Sequence, residues 1–522
     1  METTVMIERS TRKWWALGAL SLAVMAVSLD STVLSVALPT LAGVFHATEP
    51  DLQWFTAGYL LVLAAAMLPI GLIGDRFGRK RLLMVALVLF GAGSAACAFS
   101  TTSLEFIAAR MFLGLAGAGI VVMVLAALTV LFDDAARPRA VGIWAAANFL
   151  ALPIGPILGG WLLTNVWWGW VFLVNVPVAL VGMLVAGALV PESRAAQRPG
   201  LDPAGVALSV AGLAVAVYGF IRAGQDGWTD PGAWVAIVVG AALLAGLFLV
   251  ERRIGGRPGG SPLVDVALFS EPSFTWGVIL AAVAGLAMIG TLFTMPQYFQ
   301  GVLGADALGS GLRLLPLVAG LVAGTLGASV AARAVGAKAA TAAGFALLGL
   351  GAGIGTLTTV ASADWFLGLW LGLVGAGMGL VMVTASTAAL SRLDEDRSGV
   401  GSAVLQSASK VGAPLGAAVL GSVLHAYYVA GLAGQGLPPA IAAAARHSVF
   451  AGVALAARAR PADVAAVREA FVGGISAALW VSVAICGGGF VLALVFMPRG
   501  GAGRDRLGKA DGKEPKLVSG DA

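Results

Sequence analysis

The sequence predicts an all-α membrane protein with 14 transmembrane helices in a 6+2+6 arrangement. Of its 522 residues, 59% are hydrophobic and only 11% are charged, whereas soluble domains carry about a quarter charged residues. The mean hydropathy is +0.92, and apolar runs of the roughly 20 residues that cross a bilayer recur along the chain. Because lipid offers the backbone no hydrogen-bond partners, each run is expected to be helical.

The apolar runs follow one another with short hydrophilic loops between them. They cover residues 14–38, 52–73, 82–100, 105–131, 141–163, 170–190, 204–221, 234–250, 273–296, 311–332, 339–360, 365–389, 400–424 and 471–497. The first run is too long for a removable signal peptide and has no small-residue cleavage site, so we expect it to remain as an anchored helix.

Lys and Arg residues are distributed unequally between the two sides of the predicted membrane. With both termini placed in the cytoplasm, 24 of the 32 lie in cytoplasmic segments, 4 lie in the outer loop 425–470, and 4 fall in or beside spans. This asymmetry predicts a multi-pass protein of the plasma membrane with both termini cytoplasmic. The cations are scattered one short loop at a time, which argues against a nucleic-acid partner.

Two longer hydrophilic loops divide the chain into two groups of six spans with two spans between them. The predicted parts are a cytoplasmic N-terminus (1–13), an N-terminal six-helix half (14–190), two central helices (191–274), a C-terminal six-helix half (275–497) and a disordered cytoplasmic tail (498–522). The outer loop 425–470 is expected to form one or two amphipathic helices or a solvated linker.

The C-terminal half contains a weak copy of a motif from the N-terminal half. GLIGDRFGRK, Gly71–Lys80, follows the second span of its half, and SVAARAVGAK, Ser329–Lys338, follows the second span of the other half, so that Gly336 matches Gly78. Internal repeats with a substrate held between them are typical of secondary transporters, so the repeat favours a carrier.

Asp30 is predicted to be the only carboxylate deep inside a span, since every other acid is assigned to a loop or an interface. A charged side chain near the bilayer centre costs about 2.5 to 3.5 kcal/mol, so Asp30 must face protein or a wet cavity. Arg110 enters span 4 from the same side at a depth that its side chain can bridge. We expect Asp30 to carry protons with Arg110 as its switchable partner, the alternative being a permanent structural ion pair.

The glycines and prolines of span 5 suggest a specific role for that span. In span 5, Gly155, Gly159 and Gly160 allow a close approach to another helix, while Pro153 and Pro156 free carbonyl groups and bend the span; the alternative is a simple packing helix.

Lys410 is predicted near the membrane midplane in span 13. Together with Arg110 it makes the deep charge net positive, which favours a neutral, amphipathic or anionic substrate. Binding to carbonyl groups of a neighbouring helix is an equal alternative for Lys410.

Several motifs together resemble the major facilitator superfamily, and within it the fourteen-span drug/proton antiporters. The resemblance covers residues 14 to about 497. It rests on LDSTVLSVALP (Leu29–Pro39, with Ser35 where Asn is usual), GLIGDRFGRKR (Gly71–Arg81), ARMFLGLAGAG (Ala109–Gly119), PIGPILGG (Pro153–Gly160), WVFLVNVP (Trp170–Pro177), TMPQYFQ (Thr294–Gln300) and the segment Ser398–Gly416.

The resemblance implies roles for the loop after span 2. Asp75 is expected to meet the N-terminus of span 13 near Gly399 and to latch the inner gate, because a carboxylate is stabilised at a helix N-terminus. Arg76 and Arg79 would brace that gate, and Gly71 and Gly78 belong to the same motif. The alternative is a solvated basic turn that only sets topology. The span 5 motif is associated with antiport.

Five polar residues are the expected lining of the substrate cavity, namely Asn148, Gln297, Tyr298, Gln406 and Lys410. Lys410 stands where Arg is frequent, so a role that needs a bidentate guanidinium is not expected there. An aromatic or amide side chain at a helix end can equally be an interface anchor.

The sequence thus predicts a proton-coupled antiporter that exports small amphipathic organic compounds, such as drugs or antibiotics, by alternating access. The alternatives are a proton symporter for a metabolite and, with less support, a membrane enzyme or sensor on a carrier scaffold. His46, His425 and His447 are all assigned to outer regions, and no catalytic motif or nucleotide-binding loop is present. Cys97 and Cys486 are isolated in apolar spans, so neither a metal nor a cofactor is expected.

Overall fold

The computed structural model describes residues 2–132, 136–194, 202–256, 266–391 and 395–498. Within these residues the chain is helical and contains no strand. The N-terminal part forms α1 (Glu2–Phe45), α2 (Glu49–Phe77), α3 (Arg79–Phe99), α4 (Ser103–Leu131), α5 (Arg137–Asn165), α6 (Trp170–Leu173) and α7 (Asn175–Leu189).

The central and C-terminal parts continue the same pattern. They form α8 (Pro203–Asp226), α9 (Pro231–Gly255), α10 (Pro272–Gln297), α11 (Ala307–Arg313), α12 (Leu315–Gly355), α13 (Asp364–Leu390), α14 (Glu395–Ala433), α15 (Pro439–His447), α16 (Val449–Ala456) and α17 (Pro461–Phe496). A π-helical turn, Tyr298–Val302, continues α10, and a short 3-10 turn, Val266–Ser270, precedes it.

Twelve stretches among the described residues are long and apolar enough to cross a membrane. One of them, Ala307–Gly355, holds two of the predicted spans and is interrupted at Gly336, whose φ of 84° and ψ of 155° are not helical. The predicted span 141–163 lies in α5, a helix of 29 residues that is not among the twelve. The count of 14 therefore stays a prediction.

Gly336 and Gly78 have similar backbone conformations at matching places in the two halves. Gly78 has φ 124° and ψ 125° between α2 and α3, which is also a region that side chains other than glycine's avoid. Each glycine redirects the chain between the second and third spans of its half. The internal repeat predicted from the sequence thus has a shared backbone feature.

Helices of the N-terminal half pack through small residues and a cluster of aromatic rings. α2 packs on α4, and α1 packs on α5 and α7. Phe106 meets Phe55 and Phe172 at ring-centroid distances of 4.7 and 5.4 Å. A Cβ at Gly114 would lie 2.5 Å from Tyr59 O. Because lipid tails compete with apolar side chains, such close backbone approach is what holds membrane helices together.

The C-terminal half is built in the same way. α12 packs on α13, α10 on α14, and α14 on α17. Glycines face backbone across these contacts: Gly320 lies against Gly372 O, and Gly375 lies against Leu317 O.

The two central helices form a hairpin that touches both halves on one side only. α8 packs against α2 and α14, and Leu213, Val217 and Ile221 share an apolar cluster with residues of those helices. α9 packs on α8, where a Cβ at Gly240 would lie 2.5 Å from Ala216 N. Several large side chains of α9 are exposed, including Val238 at 62%. α8 therefore lies at the junction of the halves and α9 outside it.

The segment between α14 and α17 contains two short helices, α15 and α16, in the region where one or two amphipathic helices or a linker were expected. α14 extends to Ala433, past the predicted end of its span. His425, assigned to an outer region, therefore lies inside α14 and is only 8% exposed. We call the end of the bundle that carries α15 and α16 the outer end and the end near Gly78 the inner end.

Candidate functional site

Asp30 and Arg110 form an ion pair in the interior of the N-terminal half. Asp30 lies in the middle of α1 and is 3% exposed, and Arg110 on α4 is fully buried. Arg110 Nη1 donates to Asp30 Oδ2. The structure thus brings together the two residues that the sequence predicted as a charge pair.

The guanidinium of Arg110 is fixed on its other sides by α2. Its Nε donates to Phe55 O at 3.2 Å, and its Cζ lies 4.3 Å from the centre of the Tyr59 ring. The Tyr59 hydroxyl donates to Val27 O at 3.0 Å and so joins α2 to α1. A cation over an aromatic face is stabilised by the ring quadrupole. α1 and α2 therefore hold this arginine of α4 in one position.

Asn175 and Ser94 complete the polar environment of Asp30, and sequence reasoning missed both. Asn175 Nδ2 lies 3.5 Å from Asp30 Oδ1 and 3.3 Å from Ser94 Oγ. Asn175 is 3% exposed and begins α7. The available signal was its position as the only polar side chain of WVFLVNVP.

The ion pair is neutral overall, so burial of both partners is tolerable where burial of either alone is not. Removing one member of a buried pair typically costs about 3–5 kcal/mol because a charge is left uncompensated. A proton on Asp30 would cancel its negative charge, leave Arg110 as an isolated cation and weaken the link between α1 and α4. The pair therefore has the chemistry of a switch that responds to protonation.

Asn148, an expected cavity residue, lies half-buried on α5 close to this pair. Its Oδ1 accepts a hydrogen bond from Ser28 Oγ at 2.8 Å, and its Nδ2 donates to Trp144 O at 3.0 Å. Ser28 precedes Asp30 by two residues on α1. This bond ties α5 to the segment of α1 that carries the buried carboxylate.

The glycines of span 5 lie in close contact with α1. A Cβ at Gly159 would lie 2.6 Å from Val33 Cγ1, and one at Gly155 would overlap the Thr32 side chain. Thr32 Oγ1 also donates to Ala151 O at 3.3 Å.

The same helix contacts the other half. A Cβ at Gly160 would lie 2.6 Å from Ala307 O on α11, and Gly311 of α11 lies against Pro156 O. The side chain of Pro153 is outside the described residues. α5 is thus a tight junction between α1 and the C-terminal half.

The loop motif after α2 forms a compact turn. Arg79 Nε lies 2.8 Å from Asp75 Oδ1, Arg76 is exposed, and Gly71 is half-buried near Val122. The start of α14 near Gly399, where Asp75 was expected to bind, has side chains outside the described residues.

Glu192 and Ser193 hold this turn from the end of span 6, a contact that the sequence did not indicate. Glu192 Oε1 accepts from Lys80 N at 3.2 Å, and Ser193 O accepts from Arg79 N at 3.0 Å. A Cβ at Gly78 would lie 2.7 Å from Glu192 Oε1. The motif is therefore anchored within its own half.

The remaining expected cavity residues lie in different surroundings. Gln297 is fully buried, and Tyr298 is buried with its hydroxyl donating to Thr359 O at 2.6 Å. Gln406 is half-buried, and Lys410 is exposed on α14. The structure does not bring these side chains into one group with Asn148.

The outer ends of the two halves are in direct contact. Gln297 Nε2 on α10 donates to Glu49 Oε1 on α2 at 3.3 Å, and Gln300 Nε2 donates to Val36 O on α1 at 2.9 Å. Glu49, which was assigned to a loop or interface, is the first residue of α2 and is 3% exposed.

A cavity of about 200 Å³ lies on the inner side, between α2, α8, α9 and α14, and it is distinct from the buried ion pair. Its lining includes Leu68, Leu213, Phe248, Glu251 and Val411. No group of three or more His, Cys, Asp or Glu side chains in the described ranges could hold a metal ion, and Cys97 and Cys486 are buried free thiols.

Sequence comparison matches the chain to one protein family and to named relatives. Residues 20–417 match the family model described as Major Facilitator Superfamily. The chain is 33% identical over 456 residues to the multidrug efflux pump LfrA of Mycolicibacterium smegmatis, covering 86% of this chain and 88% of that protein. It is 32% identical over 417 residues to the tetracenomycin C resistance and export protein of Streptomyces glaucescens, covering 79% and 76%.

Solved structures with the same fold are also transporters. A bacterial homolog of the human lysosomal transporter Spinster aligns with a TM-score of 0.65 at 18% identity, covering 93% of this chain and 98% of that chain. The D-xylose–proton symporter aligns with a TM-score of 0.59 at 15% identity, covering 92% and 97%. At these identities the likeness concerns the fold alone.

Proposed function

The chain belongs to the major facilitator superfamily, a family of membrane transporters, and on that basis we propose that it is a proton-coupled exporter of small amphipathic organic compounds such as drugs or antibiotics. Export is suggested by its relatives, which are named as efflux pumps and a resistance and export protein. The observation that carries the proton coupling is the buried pair of Asp30 and Arg110.

Protonation of Asp30 is the proposed coupling step. In the described arrangement, Asp30 links α1 to α4 through Arg110, and we propose that it does so as the ionised carboxylate. A proton arriving on the carboxylate removes that link, and the release of Arg110 changes the relative stability of the two orientations of the helices. The energy is sufficient, since one proton crossing 100 mV contributes about 2.3 kcal/mol, equivalent to roughly a fiftyfold gradient of a neutral substrate.

The proposed substrate binds between the halves near the midplane. Lys410 is exposed on α14, while Arg110 is already neutralised by Asp30, so the free deep charge is positive. This favours neutral, amphipathic or anionic compounds over multiply charged cations. Asn148 and Gln406 are proposed to contribute polar contacts, and Gln297 and Tyr298 to contribute once the outer end opens.

Movement between two open states is proposed to depend on two features described above, the close packing of α5 and the turn after α2. α5 would act as the tight seal through Gly155, Gly159 and Gly160, with Pro153 and Pro156 bending it. Asp75 would latch the inner gate against the start of α14, with Arg76, Arg79, Gly71 and Gly78 shaping the turn.

We further propose 14 membrane crossings in a plasma membrane, with both termini cytoplasmic. Counting α5 and treating Ala307–Gly355 as two spans that meet at Gly336 adds two crossings to the twelve described stretches. An even number returns the chain to the side on which it started, and the Lys and Arg residues concentrate on that side.

The test is transport by the purified protein in liposomes carrying a pH gradient. A panel of neutral, anionic and cationic amphipathic dyes would be offered to the wild-type protein, to Asp30→Asn and to a control, Glu105→Gln, which alters an exposed outer carboxylate. We expect gradient-driven dye movement by the wild type and the control, and none by Asp30→Asn. Undiminished movement by Asp30→Asn would refute the proposed coupling.

A further inference from the structure

We propose that Glu49 is a second proton-binding site, placed at the outer gate, and that its protonation from the outside stabilises closure of that gate. The inference rests on the proposed function, because it adds a step to a proton-driven cycle. It concerns a group of buried polar residues that we call the outer polar cluster: Glu49, Gln53, Gln297, His425 and Tyr428.

The first contact of the cluster joins the two halves directly. Glu49 and Gln53 are one helical turn apart on α2, and Gln297 faces them from α10. Gln297 Nε2 donates to Glu49 Oε1 at 3.3 Å and to Phe293 O at 3.2 Å. Glu49 is 3% exposed, Gln53 1% and Gln297 0%.

α14 supplies the third face of the cluster. Gly421, His425 and Tyr428 follow one another at single-turn spacing, so they share one side of the helix. A Cβ at Gly421 would lie 2.9 Å from Gln53 Cδ and 3.0 Å from Phe293 Cε1. Faces of α2, α10 and α14 therefore meet at this place, with no room between them for a larger side chain at Gly421.

The hydrogen bonds inside the cluster are incomplete. Gln53 Oε1, Gln297 Oε1, His425 Nδ1 and the Tyr428 hydroxyl are all buried without a partner. The two amide oxygens can only accept hydrogen bonds, and neither has a donor, whereas the Tyr428 hydroxyl and the His425 ring can each donate or accept. An ionised Glu49 would add another acceptor, whereas a protonated Glu49 supplies a donor. The hydrogen-bonding pattern therefore favours the protonated acid while the gate is closed.

The charged groups around Glu49 also favour the protonated acid while the gate is closed. Gln297 is the only hydrogen-bond partner of the Glu49 side chain among the described residues, and no cation there pairs with it. On α14, Tyr428 interacts electrostatically with Glu49, and His425 lies about one turn before Tyr428 on the same side of that helix. α10 contributes an amide, and α17 places the Phe471 ring 5.3 Å from that of Tyr428. Arg468 of α17 lies instead near Gly304.

The proposed step is a simple proton transfer. When the halves part at the outer end, water reaches Glu49, and the carboxylate is hydrated and ionised. A proton from the outer solution then binds a carboxylate oxygen, the charge disappears, and the cluster can be buried again. A low pH of the outer solution therefore favours the closed outer gate. In an exporter that has released its substrate, closing this gate precedes opening to the inside again.

The test measures gate opening without transport. Cys97 and Cys486 would be replaced by Ser, and a reporter cysteine placed at Thr294, which is 2% exposed on α10, or at Leu104, which is 76% exposed at the outer end of α4. Labelling by a membrane-impermeant maleimide is measured in substrate-free liposomes from about pH 5 to about pH 8, where perturbed carboxylates and imidazoles titrate. The ratio of the two labelling rates cancels the intrinsic pH dependence of the thiol reaction.

In the wild-type background we expect this ratio to fall by about fivefold or more as the outer solution is acidified, since protonation is linked to closure. Glu49→Gln should give a low ratio at every pH, whereas Glu49→Asp, which still titrates, and Glu105→Gln should keep the response. A response that persists in Glu49→Gln, or that disappears in His425→Gln while Glu49→Gln keeps it, would overturn the assignment. So would a pH-independent wild type.

This experiment and the dye assay fail independently. A pH-dependent gate with no gradient-driven dye movement would contradict the proposed exporter but leave the Glu49 site standing. If dye movement is lost in Asp30→Asn while the pH response of the gate does not depend on Glu49, the proposed exporter stands and the Glu49 site is contradicted.

Discussion

Asn175 binds the Asp30 carboxylate through Oδ1, the oxygen that Arg110 leaves unoccupied, at a distance of 3.5 Å. α1, α4 and the start of α7 therefore converge on one acidic side chain. Because Asn175 also donates to Ser94 on α3, the carboxylate is connected to a fourth helix. A change in the charge of Asp30 therefore alters contacts among four helices of the N-terminal half.

Replacing Asn175 by Ala should weaken this connection without removing the ion pair. We expect a loss of stability of about 0.5–1.5 kcal/mol, typical of one buried hydrogen bond, and a reduced rate of gradient-driven export. Thermal unfolding in detergent and dye transport in liposomes measure the two effects. Asn165→Ala, at the exposed end of α5, is the matched control and should change neither. Full export by Asn175→Ala would show that the bond is dispensable.

Arg110→Ala should be among the most destabilising single changes in the chain. It leaves the Asp30 carboxylate buried without its cation, which typically costs about 3–5 kcal/mol. The double variant Asp30→Asn with Arg110→Gln removes both charges, and we expect it to recover much of the thermal stability while remaining unable to couple export to protons. If the double variant transports normally, the pair is only structural.

Much of this architecture follows from the sequence because lipid imposes strict rules. Long apolar runs must be helices, and an isolated deep acid must find a partner, so Asp30 and Arg110 were predictable. The resemblance of the motifs to a known family added the roles expected for the loop after span 2 and for span 5.

The residues that the sequence did not reveal were missed for one physical reason. Asn175, Glu192 and Glu49 become functional candidates only through contacts made by distant parts of the chain. Glu49 and His425 also lay just beyond apolar runs, where a helix continues past the point at which hydropathy falls. Burial at such helix ends depends on packing between the halves, which no local pattern contains.

The contact of Gly159 with Val33 provides a compensation test of the α1–α5 junction. Gly159→Ala would place a Cβ 2.6 Å from Val33 Cγ1, and overpacking of this kind costs about 1–3 kcal/mol. Val33→Ala removes the opposing methyl groups, so the double variant should regain most of the lost stability and export. Thermal unfolding of all three variants measures the coupling. Additive losses would place the origin of the damage elsewhere.

Asp230 should make the outer end of α9 sensitive to acid. Its carboxylate accepts from Ala233 N and from Arg222 Nε, each at 2.8 Å, and these bonds hold its pKa below the ordinary value, the backbone N–H being the larger cause. The stabilisation is therefore present at neutral pH and is lost as the pH falls through the lowered pKa.

Hydrogen-exchange protection of residues 232–234 should accordingly decrease in acid. Asp230→Asn keeps a side-chain cap but cannot titrate, so its protection should be independent of pH, and Asp230→Ala should be unprotected throughout. Identical pH profiles for the wild type and Asp230→Asn would contradict this account.

Comparison of the two matching glycines of the internal repeat, Gly78 and Gly336, distinguishes the cost of backbone strain from the cost of steric overlap. A side chain at Gly336, with φ 84°, would meet nothing within 4 Å, so Gly336→Ala should cost only the strain of a conformation reserved for glycine, about 1–3 kcal/mol. At Gly78, with φ 124°, the new Cβ would also lie 2.7 Å from Glu192 Oε1. Gly78→Ala should therefore lower the unfolding temperature more than Gly336→Ala does.

Removing the overlap should restore the equivalence of the two sites. Glu192→Ala takes away the crowding oxygen at the cost of a hydrogen bond to Lys80 N and a weak exposed pair with Arg81. In its background, Gly78→Ala should lower the unfolding temperature by about as much as Gly336→Ala lowers that of the wild type. If Gly78→Ala costs no more than Gly336→Ala before Glu192 is changed, Glu192 yields to the new methyl group and strain alone determines both losses.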